Sequence, residues 1–246
     1  MFQNLTVSVI IPARNEAGSL SSVIEKVPSW VDEIIVIDGN SRDQTRNISE
    51  NHYRVSKTLV QKSRGKGAAL SAGFSAATMD IVAIIDADGS MDPSELEFFV
   101  AKFPNCDIVK GSRYLKGGGS SDLTFIRSIG NRSLTKLANF LFKQSWTDMA
   151  YGFAVFDHKV LQSLALTNYD LLGSLFGHKS YGQGFEIETL MFTRAARRGL
   201  RIIEVPSFEH DRVSGSSNLR AIRDGIRVLI SIIVERSRDV PFGKGN

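Results

Sequence analysis

The sequence predicts an α/β protein with a doubly wound, mostly parallel sheet and helices on both faces, and two observations carry the prediction. Short apolar runs alternate with segments of helical period over the first half of the chain, the pattern of parallel strands joined by crossover helices. A pair of carboxylates, Asp86 and Asp88, stands at the end of one of those runs, where an α/β sheet binds its ligands. In chain order, strands are expected at 7–11, 33–37, 55–60, 81–85 and 108–110, with helices between them at 16–27, 43–51, 66–78 and 93–103. Asp92 suits the N-cap of the last of these helices and Pro93 its first turn, so the chain bends sharply just past the carboxylates. The Gly-rich stretch 116–121 then reads as a mobile loop, 126–142 as helix and 153–156 as strand. After a second Gly-punctuated segment at 173–184 come a helix at 185–198 ended by Gly199, a strand at 201–205 and an amphipathic helix at 219–236. Two such loops near a site are placed to act as lids. Neither an internal repeat nor a Pro/Ser-rich linker divides the chain, so residues 1–218 are expected to form one domain and 219–246 an extension of it.

Composition removes several classes. At 246 residues and 42% hydrophobic content there is ample material for a continuous core. A net charge of +4 is too mild to indicate nucleic acid, although clustered basic residues would favour anionic ligands. Cys106 is the sole cysteine, which excludes an internal disulfide framework and a cysteine-based zinc cluster and suits a reducing compartment. There is no basic, apolar leader, and no apolar run approaches the roughly 18 residues of a membrane span. The expectation is a cytoplasmic protein, at most peripheral at the cytoplasmic membrane face.

The Asp86-Ala87-Asp88 triplet has a definite chemistry. On an extended segment, residues two apart point to one side, and a hard cation such as Mg²⁺ or Mn²⁺ binds through few carboxylates, completing its shell with water and phosphate oxygens. That suits a nucleotide diphosphate, but Asp, Gly and Ser after a strand also make an ordinary turn, and the triplet alone does not separate the two. Other nucleotide motifs fail: in Ser63-Arg64-Gly65-Lys66-Gly67 a glycine stands where a P-loop needs Ser or Thr, and Gly65 to Leu70 lacks the third glycine of a dinucleotide fingerprint. The four histidines show no metal-ligand spacing.

Taken in order, Val9-Ile10-Ile11-Pro12-Ala13-Arg14-Asn15-Glu16, Val36-Ile37-Asp38-Gly39, Arg64-Gly65-Lys66-Gly67, Asp86-Ala87-Asp88-Gly89, Gly111-Ser112-Arg113, Thr147-Asp148 with Gly152-Phe153, and Arg212-Val213-Ser214-Gly215-Ser216-Ser217-Asn218-Leu219 resemble the family 2 glycosyltransferases, and within them the dolichol-phosphate mannose or glucose synthase branch. The resemblance runs from Val7 to about Glu235. It implies a GT-A fold over residues 1–218, an inverting mechanism, a GDP- or UDP-hexose donor and Mg²⁺ or Mn²⁺.

The resemblance gives Pro12, Ala13, Asn15 and Glu16 a place along the nucleoside, where a strand-to-helix turn would leave backbone N–H groups available, and gives Asp38 a base contact; Gly39 stands where many relatives have a second acid. Lys66 would approach the nucleotide. Asp88, with Asp86 and Ala87 beside it, would hold the metal, Asp86 contacting either ribose or the metal's water; Ser90 replaces a glutamine common in the mannosyl-phosphate branch. Asp148 is the candidate acceptor-side carboxylate, acting as base for a hydroxyl or positioning groups near an already ionised lipid phosphate. Arg113, Arg127, Arg132 and Arg212 are candidate phosphate ligands because guanidinium forks match phosphate oxygens, and Arg212 opens a segment that in related enzymes closes over the donor. Any of the four is equally a surface residue.

In the last helix, Arg220, Arg223 and Arg227 share one face and Ile222, Ile226, Leu229, Ile230 and Ile233 another. Such a helix lies on an anionic membrane, bringing the site to a polyprenyl phosphate, or packs on the domain with its arginines in water. The chemistry fits transfer of a hexose to polyprenyl phosphate. A saccharide or small-molecule hydroxyl acceptor, a sugar nucleotidyltransferase and a non-catalytic sugar-nucleotide binder are the competing readings, and the nucleotidyltransferase lacks its Gly-rich N-terminal triphosphate loop.

Overall fold

The computed structural model describes residues 2, 4–164, 166, 182–214 and 220–238. Its strands are β1 (Val7–Ala13), β2 (Glu33–Asp38), β3 (Lys57–Val60), β4 (Ile81–Ile84), β5 (Ile108–Ser112), β6 (Gly119–Ser120), β7 (Ala154–Asp157), β8 (Ile202–Pro206) and β9 (Phe208–Glu209), and its helices are α1 (Leu20–Lys26), α2 (Thr45–Asn51), α3 (Lys66–Ala76), α4 (Leu96–Val100), α5 (Phe125–Phe142), α6 (His158–Ser163), α7 (Ile187–Arg197) and α8 (Ala221–Ser237). Seven strands form one sheet in the order β3-β2-β1-β4-β7-β5-β8.

β1 is central because its register leaves no polar edge: Ile10 lies beside Ile35 of β2 on one side and Ile84 of β4 on the other. A strand covered on both faces reads as a continuous apolar run, and alternate residues feed two core layers. Val7, Val9 and Ile11 pack with α1 and α4, whereas Ile10, Ile35, Val82 and Ile84 pack with α3, α5 and α7. The sheet is mostly parallel as expected, with β7 as the exception. It inserts between β4 and β5 and runs antiparallel to both.

Several boundaries differ from expectation for local reasons. The helix expected at 93–103 is a 3₁₀ turn at Pro93–Glu95 followed by the short α4, with the Asp92 carboxylate accepting from Ser94 N at 2.9 Å. The predicted Gly-rich loop contains β6, which pairs with β9, a two-residue strand without periodicity to read. α6 was not anticipated either, although Asp157 caps it, accepting from Lys159 N at 2.8 Å. The Gly-punctuated stretch falls mostly on residues outside those described, as does Asn218.

α8 packs against α7 and α5. Its inward face carries Ile232 and Val234 together with two carboxylates, Asp224 and Glu235, and Arg194 of α7 meets Glu235 at 3.2 Å. The stripe Ile222, Ile226, Leu229 and Ile233 is left facing solvent, with Ile222 81% exposed. The three arginines do not share one environment: Arg220 and Arg223 are exposed, whereas Arg227 turns toward Glu186, 4.0 Å away. No helix among the described residues is long and apolar enough to cross a membrane.

The start of α3 is docked on another backbone. Gly67 N donates to Gln183 O at 2.8 Å, and a Cβ at Gly67 would stand 1.9 Å from Gly182 O. Gly67→Ala should therefore cost about 1–3 kcal/mol in urea unfolding, since two main chains cannot both yield. Gly130→Ala in α5, where nothing lies within 4 Å of the new methyl, should instead gain about 0.5–1 kcal/mol of stability.

Candidate active site

The carboxyl ends of β1, β2 and β4 open onto a cleft of about 160 Å³ lined by Pro12, Ala13, Glu16, Lys66, Asp86, Ala87, Asp88 and Arg212, with Ile37, Gln61 and Phe185 on its walls. β1 and β4 pair as far as Ile10 and Ile84, and Ile85 N donates to Ile10 O, so the chain leaves the sheet at Asp86. Lys66 enters from the first turn of α3. Its Nζ lies 2.7 Å from Asp86 and 2.8 Å from Glu188 at the start of α7.

Burial would discharge this ammonium, but the two flanking carboxylates overcome that and hold it protonated well above its ordinary range. Burial pushes both carboxyls up despite the shared lysine, and at Asp86 the neighbouring Asp88 adds to the rise. Glu16 is also pushed up, by burial first and then by Asp88 and Asp86. Asp88 in turn meets Arg212 at 2.7 Å and accepts from Ser90 N at 2.9 Å. Val213 N donates to the Asp88 carbonyl, which fixes the approach of Arg212. Four carboxylates thus converge on two paired cations, leaving a cleft with surplus negative charge and hard oxygen donors. That donor set fits a divalent cation completed by water and phosphate. Among the described residues no group of three or more His, Cys, Asp or Glu is placed to hold a metal ion, so a cation here would rest on the Asp86–Asp88 pair.

The first turn differs from expectation. The N–H groups of Asn15, Glu16 and Ala17 are not free: they donate to Ser41 Oγ, Thr45 Oγ1 and Asp43 Oδ2 at 3.0, 2.8 and 3.2 Å. The Asn15 side chain accepts from Arg42 N instead of reaching the cleft. Asp38 is buried behind the wall, both oxygens accepting from Ser41 N, while its neighbours Ile37 and Gly39 line the cavity.

Asp148 and Arg113 are interlocked, and Arg113 also lines a cavity between α5, α7 and α8. Asp148 is fully buried and grips the Arg113 guanidinium with both oxygens, at 2.7 Å to Nε and 3.0 Å to Nη2, while Asn131 donates to it at 2.7 Å. Arg113 spends its remaining nitrogen on Glu209, 3.0 Å away. Burial raises the Asp148 carboxyl, yet Arg113, Lys110 and Asn131 lower it further, so it lies below the ordinary carboxylate range. A carboxylate so placed pins Arg113, which is the positioning role that was the alternative to a general base. Lys110 and Glu204, register partners on β5 and β8, complete the clamp: Lys110 holds the Asp148 carbonyl and Glu204 accepts from Thr147 N. Arg132 stacks on Tyr114 at the surface, 4.8 Å from the ring centre.

Arg127 has a different setting. It pairs with Asp122 at 3.1 Å on the rim of a second cavity, of about 220 Å³, between α5, α7 and α8. Leu123, Ile126, Leu134, Met149, Ile222 and Val228 make that cavity largely apolar. Phe185 lines both cavities, and Glu188 lines the second while holding Lys66 in the first. Glu188, Gln61 and Phe185 were missed by sequence reasoning. Phe185 and Glu188 lie at the start of the segment 185–198, which was read simply as a helix.

Fold and cleft together define a GT-A-type nucleotide-binding sheet with strand-end carboxylates. Residues 8–165 match Glycosyl transferase family 2, and the chain belongs to that family. An uncharacterised glycosyltransferase of Mycobacterium tuberculosis is 40% identical over 108 residues, covering 44% of this chain and 48% of that protein, so the chain matches about half the length of this relative. Glycosyltransferase AglJ of Haloferax volcanii is 28% identical over 228 residues, covering 89% of this chain and 68% of that protein. Among solved structures, glucosyl-3-phosphoglycerate synthase of Mycobacterium tuberculosis with phosphoglyceric acid superposes at a TM-score of 0.71 and 20% identity, over 94% of this chain and 80% of that one. The same enzyme with Mn²⁺, UDP and glucosyl-3-phosphoglycerate gives 0.69 at 21% identity, with the same coverage. At these identities the likeness is one of fold.

The Asp148 clamp should be visible in acid stability. A carboxyl lowered on folding contributes stability that is present above its unfolded pKa of about 3.9 and is lost as pH falls through its folded value. Asp148→Asn should cost about 3–5 kcal/mol at pH 7, and the deficit relative to the parent should shrink below pH 4; a deficit constant from pH 7 to pH 3 would contradict the assignment.

Proposed function

We propose that this protein is a metal-dependent, inverting glycosyltransferase that moves a hexose from a GDP- or UDP-sugar to a polyprenyl phosphate, in the manner of the dolichol-phosphate mannose and glucose synthases. The observation that carries the reading is the junction of two unlike cavities. A charged cleft with strand-end carboxylates suits a nucleotide diphosphate, and the adjoining apolar cavity with a guanidinium at its rim suits a lipid ending in phosphate. Solved fold neighbours bind UDP with Mn²⁺ or Mg²⁺, and UDP-glucose with Mn²⁺.

Asp88, with Asp86 beside it, would hold the cation, which supplies charge neutralisation on the departing diphosphate. Arg212 is the mobile partner in this scheme: paired with Asp88 here, and with Nε lacking a hydrogen-bond partner, it transfers to a donor phosphate when the carboxylate is otherwise neutralised. Glu16 and Pro12 border the nucleoside and Lys66 the diphosphate. The acceptor oxygen forms the new bond at the anomeric carbon, and the bond to the leaving diphosphate breaks with its electron pair. A phosphate acceptor is already ionised near neutral pH and needs no general base, which agrees with a closed Asp148. Arg127 is the acceptor-side cation. The exposed stripe of α8, together with Phe125 and Ile126 of α5 and the exposed Arg220 and Arg223, would rest on an anionic bilayer beside the mouth of the second cavity.

The test is nucleoside diphosphate release in a donor screen with polyprenyl phosphate, polyprenol or phosphoglycerate, the last being the acceptor-type ligand of the fold neighbours. Polyprenyl phosphate should support turnover and polyprenol should not; turnover with phosphoglycerate alone would replace the lipid by a soluble phosphate. Asp88→Asn should remove at least about 99% of turnover while preserving the fold, because an amide is a poor ligand for a hard cation.

Arg127→Ala should raise the KM for the lipid phosphate by about tenfold or more, the scale of one charge-assisted hydrogen bond, with donor affinity unchanged. Replacing Arg220 and Arg223 with Gln should weaken binding to anionic vesicles, and the difference should fade at high salt.

A further inference from the structure

Lys66 joins the metal-side carboxylate Asp86 to Glu188, which lines the second cavity. The pair is tightly housed. Lys66 and Glu188 are both nearly buried, and Gly152 leaves the space they occupy, since a Cβ there would stand 2.4 Å from Glu188 Oε1 and 3.0 Å from Lys66 Nζ. The Phe185 ring lies 6.0 Å from the ammonium and offers no second anion.

This geometry sets a competition. An ammonium 2.7 Å from Asp86 opposes any cation that binds the same carboxylate, and a buried ammonium deprived of its counter-ion is costly. Lys66 can yield Asp86 only if another carboxylate retains it. We propose that Glu188 is a positioning residue that holds Lys66 when a divalent cation takes Asp86, and so sets the metal affinity of the Asp86–Asp88 pair from the acceptor side of the junction. The inference rests on the reading of that pair as the cation site. It gives a position outside the Asp-x-Asp triplet control over metal binding, with no contact to the metal.

The measurement is Mn²⁺ binding to the full chain by water-proton relaxation, which counts bound ions without turnover, in Mn²⁺ alone and with UDP or GDP. Glu188→Gln should weaken Mn²⁺ binding by about tenfold, the effect of a lost charge-assisted contact, because Lys66 then has Asp86 alone. Glu188→Asp, which keeps the charge, should fall between the parent and the amide. Lys66→Met on the Glu188→Gln background should restore binding to the parent level or tighter, which a merely structural defect would not do. If the parent binds Mn²⁺ and Glu188→Gln binds it equally, or if removing Lys66 fails to restore binding, the inference is overturned and the cation site stands. If neither the parent nor any variant binds Mn²⁺ under any of these conditions, the cation site itself fails, and the inference with it.

Discussion

One ammonium group, Lys66 Nζ, ties together three pieces of chain that are distant in sequence: the first turn of α3, the end of β4 and the start of α7. Each needs the others. Burial disfavours the charged form of Asp86, Glu188 and Lys66 alike, and Lys66 stays charged only beside a carboxylate partner. The backbone docking of Gly67 on Gln183 sets the helix start at the right depth, so the glycines around Lys66 serve close approach between two main chains.

Buried charge is used in two ways in this molecule. Around Arg113 it is closed: Asp148, Asn131 and Glu209 satisfy the guanidinium, and Lys110 and Glu204 hold the loop that carries Asp148. Such a cluster fixes one arrangement, and removing one member leaves an uncompensated charge. Around Asp86 and Asp88 the charges do not cancel, since Glu16 and Glu188 add to the two aspartates against Lys66 and Arg212. An unbalanced cluster beside a cavity is one that a ligand can complete. The same residue types in adjacent parts of the sheet edge thus differ in setting: the Arg113 group is interlocked by its own hydrogen bonds, whereas Asp86 and Asp88 line an open cleft.

The helices beyond the sheet follow a similar division between inward and outward faces. α8 turns two carboxylates toward the domain because Arg194 and the backbone of Arg220 meet them there, and its isoleucine stripe is left outside. An inward-facing apolar stripe is what helical periodicity alone suggests, and here polar pairing decided otherwise. Together with Phe125 and Ile126, that stripe forms an apolar surface next to the second cavity, a patch of the kind that marks an interaction surface.

The sequence by itself determined the alternation of strands and helices and the strand-end location of Asp86 and Asp88, because these depend on periodicity and on turn residues that act locally. Tertiary structure decided which side chains remain available. Asn15 and Asp38 accept from Arg42 and Ser41, and Arg113 is gripped by Asp148 and Glu209, partners that the sequence does not reveal. Glu188 looks like one of several polar residues on its helix, yet it stands 2.8 Å from Lys66 across 122 residues of chain. Antiparallel β7 and the pairing of β6 with β9 were hidden for the same reason: both are fixed by partners far away in sequence. A residue's chemistry is written at its own position, but whether that chemistry is free is set by neighbours that only the folded chain brings near.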